Sequence, residues 1–138
     1  MAKDKFHKCV KTALIKEQWT ITHDPLELKV GGVDMEIDLG AERILAAERQ
    51  GNKIAVEVKS FLAYTSAITE FHRALGQFIN YRTALKLNDP HRILYLAVPS
   101  LTYNSFFQLD FTKTIIEENH LKLLVYNVVA QEIVLWKN

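Results

Sequence analysis

The eight residues Arg92-Ile-Leu-Tyr-Leu-Ala-Val-Pro99 form an almost unbroken apolar run of strand length. Successive side chains of a strand point to opposite faces, so a run that is apolar throughout needs cover on both sides and belongs in the middle of a sheet. The flanking segments supply that cover. Ile68, Phe71, Leu75, Phe78, Ile79 and Leu85 recur at helical spacing over Ser66 to Leu87, and Asn88-Asp89-Pro90 ends the helix just before the run begins. Phe6, Cys9, Val10, Ala13 and Leu14 mark a second amphipathic helix from Lys3 to Gln18, with Lys3, Lys5, Lys8, Lys11 and Lys16 largely off its apolar stripe. Helices alternating with a buried strand predict an α/β fold with a central mixed β-sheet flanked by α-helices.

The remaining segments fit that frame. Trp19 to Val30 reads as two short strands split by Asp24-Pro25, followed by a Gly31-Gly32 turn and a strand over Val33 to Leu39. Glu42 to Gln50 and Lys53 to Phe61 are β-like around Gly51-Asn52, a pair suited to a two-residue hairpin turn with positive φ. Tyr103 to Asn119 reads as a third helix, and Leu121 to Val129 with Ile133 to Trp136 as two closing strands. At 138 residues, with 49% apolar and 24% charged residues and no linker or repeat, the expectation is one domain over residues 1–138.

Charge and cysteine usage narrow the function classes. Lys and Arg number 17 against 16 Asp and Glu, so any contact with nucleic acid has to be local and not the work of a bulk positive field. The single Cys9 forms no internal disulfide and no Cys/His spacing makes a zinc site, as expected of a protein in a reducing cytoplasm. No apolar leader and no run of 18 uncharged apolar residues is present, so neither secretion nor membrane insertion is expected.

Chemistry concentrates in Ile54-Ala-Val-Glu-Val-Lys-Ser60. Ile54, Val56 and Val58 share one face, Ala55, Glu57 and Lys59 the other, and a carboxylate with an ammonium on an otherwise apolar strand costs desolvation unless that face borders a cleft. With Gly51-Asn52 as the turn, Glu57 is expected opposite Ala46 and Lys59 opposite Ile44; the same parity brings Glu42, and beyond Gly40 also Asp38, to this side. Glu17 extends the apolar stripe of the first helix, and Gln77 and Tyr81 stack four apart on the helix after the hairpin, with Arg73 a turn before them. Two or three carboxylates, a Lys and a Gln/Tyr pair suit a hard divalent cation and a phosphodiester.

Asp38, the hairpin and Glu57-Val58-Lys59 resemble the PD-(D/E)xK nuclease motif, and Gln77-Phe-Ile-Asn-Tyr81 resembles the QxxxY element of its RecB-like branch. Ile37 stands where the motif has Pro. The whole chain resembles the XisH family, the fdxN-element excision controlling factors of cyanobacteria, through Phe6–Leu14, Trp19–Pro25, Ile37–Glu42, Ile54–Phe61, Ala74–Gln77 and Leu94–Pro99. The resemblance implies a restriction-endonuclease-like fold in which Asp38, Glu57 and the Val58 carbonyl hold Mg²⁺ or Mn²⁺. It further implies that Lys59 orients water or stabilises developing charge, that Glu17 serves a second metal or a metal-bound water, and that Gln77 and Tyr81 position the scissile strand. Glu42 is the rival for the first acid.

Two functions stay open: a metal-dependent DNA endonuclease acting in excision of a DNA element, or a non-catalytic accessory factor that binds DNA or a partner protein of the XisI type. A homodimer is a further expectation. Each residue also has a plainer reading. Glu57 and Lys59 would be a solvated strand face, Glu17 a surface acid, and Tyr81 a core-edge aromatic. His23-Asp24 would be a turn before Pro25, His7, His72, His91 and His120 would be surface residues, and Phe106, Phe107, Phe111 and Trp136 either core or a partner surface.

Overall fold

The computed structural model describes residues 5–43, 51–62 and 66–138. A helix α1 (His7–Lys16) leads into β1 (Thr20–His23) and a hairpin of β2 (Leu26–Val30) and β3 (Val33–Ile37). Then come β4 (Leu39–Arg43), β5 (Asn52–Val58), α2 (Ala67–Asn88) and β6 (Arg92–Pro99). A short helix α3 (Ser100–Tyr103), a 3₁₀ turn over Phe106–Gln108 and α4 (Asp110–Glu118) precede β7 (Leu123–Asn127) and β8 (Glu132–Lys137).

Six strands form one mixed sheet in the order β1-β4-β5-β6-β7-β8, with β5, β6 and β7 parallel and the outer pairs antiparallel. The apolar run is β6, central as expected. Helix α1 covers one face, where Val10 and Leu14 meet Ile54, Val56, Val58, Ala97, Leu124 and Tyr126. Helix α2 and the β2–β3 hairpin cover the other, where Phe71, Ala74 and Phe78 meet Leu26, Leu28, Ile37, Ala55, Leu96 and Val125. Helix α2 begins where Ser66 caps it, its hydroxyl accepting the Thr69 N–H at 3.3 Å.

The Gly31-Gly32 turn forms as expected, both residues at positive φ (57° and 84°), where Val30 pairs with Val33. Two expectations are corrected, the first being the hairpin turn at Gly51-Asn52. Asn52 belongs instead to β5, paired with Arg43, and residues 44–50 join β4 to β5 outside the described residues. The strand opposition observed sets Leu39 against Val56 and Glu42 against Lys53; the expected partners of Glu57 and Lys59, Ala46 and Ile44, lie outside the described residues. The helix expected over Tyr103–Asn119 is broken. Ser105 and Leu109 leave helical backbone so that Phe106 and Phe107 turn inward onto Phe71, at ring distances of 5.6 and 5.8 Å. Burying two aromatic rings outweighs continuous helical hydrogen bonding here.

Candidate functional site

Strand register builds the site. Continuing the β4–β5 pairing past Leu39 and Val56 sets Asp38 opposite Glu57. Asp38 occupies the break between β3 and β4, which frees its side chain to turn toward β5. Its carboxylate accepts the Val58 N–H at 2.7 Å, and its own N–H donates to Glu57 Oε1 at 3.3 Å. In an extended strand a residue's N–H and C=O face the same edge, so the Val58 carbonyl lies on the Asp38 side. The next residue turns its N–H to the other neighbour, Lys59 donating to the Ala97 carbonyl at 3.0 Å, while the Tyr126 hydroxyl donates to the Lys59 carbonyl at 2.9 Å. The backbone that carries the acid and the lysine is thus pinned from both sides.

The Lys59 ammonium stands 3.6 Å from Glu57 Oε2, and both side chains are largely withdrawn from solvent (12% and 7% exposed). Burial raises the Glu57 carboxyl, and the Asp38 charge raises it further, to about 8, against the partial relief that Lys59 gives. Burial raises Asp38 as well, opposed by the Val58 N–H and by the charges of His7 and Lys59. At neutral pH the pair therefore retains a proton, held on Glu57. Tyr81, on α2, is driven up to about 12, first by burial and then by the charges of Glu57, Asp38 and Glu36, which brings its hydroxyl into the same electrostatic neighbourhood. Gln77, one turn earlier on that helix, keeps a buried Oε1 with no hydrogen-bond partner among the described residues.

Two expected members lie elsewhere. Glu17 ends α1, where its carboxylate accepts the Trp136 indole N–H at 3.1 Å and its carbonyl accepts from Arg43. Arg43 pairs with Asn52, five residues along β5 from Glu57, which is about 16 Å of extended strand. Glu42 pairs with Lys53 and sits 3.6 Å from Arg92. Of the two rival acids, Asp38 is the one that meets Glu57. Among the described residues no group of three or more His, Cys, Asp or Glu side chains gathers around one point.

The surface position expected for His7 is corrected, since the residue is buried. Its Nε2 lies 2.7 Å from Asp24, its Nδ1 has no partner among the described residues, and its charge reaches Asp38. The sequence carried the signal, since positions 7, 10 and 14 share a helical stripe with Val10 and Leu14. Asp24, in the bend expected at His23-Asp24-Pro25, is further held by Lys11 at 2.8 Å.

The family model for the XisH protein matches residues 1–134. The chain belongs to the XisH family. It is similar to the solved structure of a fdxN element excision controlling factor protein from Anabaena variabilis, with 59% identity and a TM-score of 0.88 over 96% of this chain and 98% of that one. It is equally similar in fold to an XisH family protein from Nostoc punctiforme PCC 73102, with 56% identity and a TM-score of 0.88 over 98% of this chain and all of that one (100%). Among curated proteins none matches. Among the described residues of this XisH chain no helix is long and apolar enough to cross a membrane.

Proposed function

We propose that this XisH chain is a metal-dependent, PD-(D/E)xK-type DNA endonuclease with a restriction-endonuclease-like fold, acting in excision of a DNA element. The observation that carries the reading is the meeting of Asp38 with Glu57 across β4 and β5, with the Lys59 ammonium 3.6 Å from Glu57. The donor set fits the implied cation. Magnesium is commonly held by one or two carboxylates plus water and substrate phosphates and does not ask for an all-protein cage. Asp38, Glu57 and the Val58 carbonyl would hold it, and two carboxyls whose proton affinity burial raises, Glu57 further by the Asp38 charge, are what a dication would relieve. Bound Mg²⁺ or Mn²⁺ would polarise a phosphodiester oxygen and acidify a water.

The chain's own groups do the rest. Lys59 offers a compact ammonium to the negative charge that develops on the phosphoryl oxygens. Tyr81 keeps its proton to about pH 12 and so acts as a hydroxyl donor to a phosphate oxygen, while the unpartnered Gln77 Oε1 is free to accept from the strand. Glu17, bonded to Trp136, takes no part.

A second reading rests on one observation. The Lys59 ammonium lies buried 3.6 Å from Glu57 in a chain of net charge +1, which suits an accessory factor that keeps the fold and binds DNA or an XisI-type partner protein without cutting. The test is incubation of supercoiled and branched DNA with the protein in Mg²⁺, Mn²⁺ or EDTA, beside Glu57→Ala and Lys59→Ala. Metal-dependent nicking that both variants lose supports the endonuclease. Well-folded protein that cuts nothing and binds no metal supports the accessory factor.

A further inference from the structure

On the opposite face of the sheet, at the far end of β4 and β5, lies a cavity of about 360 Å³ walled by Trp19, Tyr95 and Trp136 and edged by Arg43, Asn52 and Asn138. Trp136 stacks edge-on against Tyr95 at 4.9 Å and lies tilted against Trp19 at 5.8 Å, so the three rings form one continuous aromatic wall. Two donors here are unsatisfied, while the Tyr95 hydroxyl donates to Asn138 Oδ1. Trp19 is 6% exposed, yet its indole N–H has no acceptor among the described residues, and the Nε–H of Arg43 is likewise buried and without a partner among them. The Arg43 guanidinium lies over the Trp19 ring at 4.6 Å, donates to the Glu17 carbonyl, and has no carboxylate partner among the described residues.

Buried donors without acceptors are costly, and native structures keep few of them without a ligand or function to explain them. The occupant that would satisfy this set is flat, offers a π-face to the aromatic wall, presents acceptors to two N–H donors, pairs along an edge with the Asn52 amide, and carries negative charge for Arg43. We infer that this cavity is a nucleobase site, taking one base and its phosphate. The base comes either from a free mononucleotide or from an unpaired position in a strand, since both present the same ring and phosphate. Base–aromatic stacking and amide contacts to a base edge are the usual means of holding an unstacked base. The cavity volume falls within the range of small-ligand pockets. The site stands apart from Asp38 and Glu57 and needs no metal.

Trp19 and Trp136 are the chain's two tryptophans, so intrinsic fluorescence reports on this cavity directly. The four deoxynucleoside monophosphates, a twelve-residue single-stranded oligodeoxynucleotide and inorganic phosphate would each be titrated in EDTA, which silences any metal site. Quenching by mononucleotides supports a free-nucleotide site, and quenching by the oligonucleotide at far lower concentration supports a strand site. Trp19→Phe keeps an aromatic ring at the position but removes the N–H and should weaken binding about tenfold. Asn52→Ala, at an exposed position that leaves the core untouched, should weaken it several-fold and stands in should Trp19→Phe melt early. No quenching by any nucleotide at 10 mM, equal quenching by phosphate alone, or unchanged affinity in Asn52→Ala and a folded Trp19→Phe overturns the inference.

Discussion

Replacing Glu57 by Gln tests the electrostatics of the site without changing its shape. In the folded chain burial and the Asp38 charge hold the Glu57 carboxyl at about 8 against an ordinary value of 4.5. Between those two pH values the folded state keeps a proton that the unfolded chain has lost, so stability is fully present below about pH 4.5 and falls as pH rises through 8. The gap of about 3.5 pH units, at about 1.4 kcal/mol each, comes to about 5 kcal/mol. Asp38 is raised as well and acts in the same direction. The amide introduced by Glu57→Gln has no proton to lose while its oxygen still accepts the Asp38 N–H, so the variant should decline much less than the parent, with only Asp38 left to titrate. For a chain of 138 residues a difference of 5 kcal/mol is about 15 °C in Tm. Thermal denaturation from pH 5 to 8.5 should therefore show the variant as the more stable protein above pH 7. Saturating Mg²⁺ at pH 8 should raise the Tm of the parent and leave Glu57→Gln unmoved. Parallel profiles for the two proteins would refute the reasoning.

Two further outcomes follow from the fold. Burial raises the Asp24 carboxyl, but hydrogen bonds from Lys11 and His7 outweigh it and hold the group at about 2, so its contribution is present above pH 4 and lost as pH falls toward 2; acid denaturation midpoints should show Asp24→Asn less stable at neutral pH and converging with the parent in acid. Phe78, 1% exposed beneath α2 and carrying the Arg82 guanidinium at 5.3 Å, should cost about 3–5 kcal/mol on substitution by Ala, read as a lowered urea midpoint with an unchanged m value.

Much of this architecture was legible because it rests on periodicity. An apolar run with no polar face left β6 only a central place, and the stripes of α1 and α2 identified the layers that cover it. The parity of β5 was legible too, since Ala55 and Val56 do fall in different cores. Register was not, because alternation fixes which residues share a face but not which residue lies across the strand. Gly51-Asn52 carries turn chemistry yet sits beside and inside β5, and only the observed pairing brings Asp38 opposite Glu57 and leaves Glu42 with Lys53. Glu17 shows the limit of helical stripes. It does face inward, but α1 runs along the sheet, so its last turn meets Trp136 while its first turn, with His7, lies toward Asp38. Residue type alone suggests the surface for His7, and the stripe it shares with Val10 and Leu14 overrides that preference. The break between α3 and α4 came from tertiary packing of Phe106 and Phe107 on Phe71, which no local propensity encodes. Phe111 remains exposed, whereas Phe107 is core.

If Asp38 and Glu57 form a site for a hard dication, calorimetric titration of Mn²⁺ at pH 7 detects it. Run in two buffers of different ionisation enthalpy, the titration counts protons. One site is expected, with release of close to one proton from Glu57 on binding and loss of the signal in both Asp38→Asn and Glu57→Gln. Absence of binding at millimolar Mn²⁺, or binding that survives both substitutions with no proton released, would contradict it.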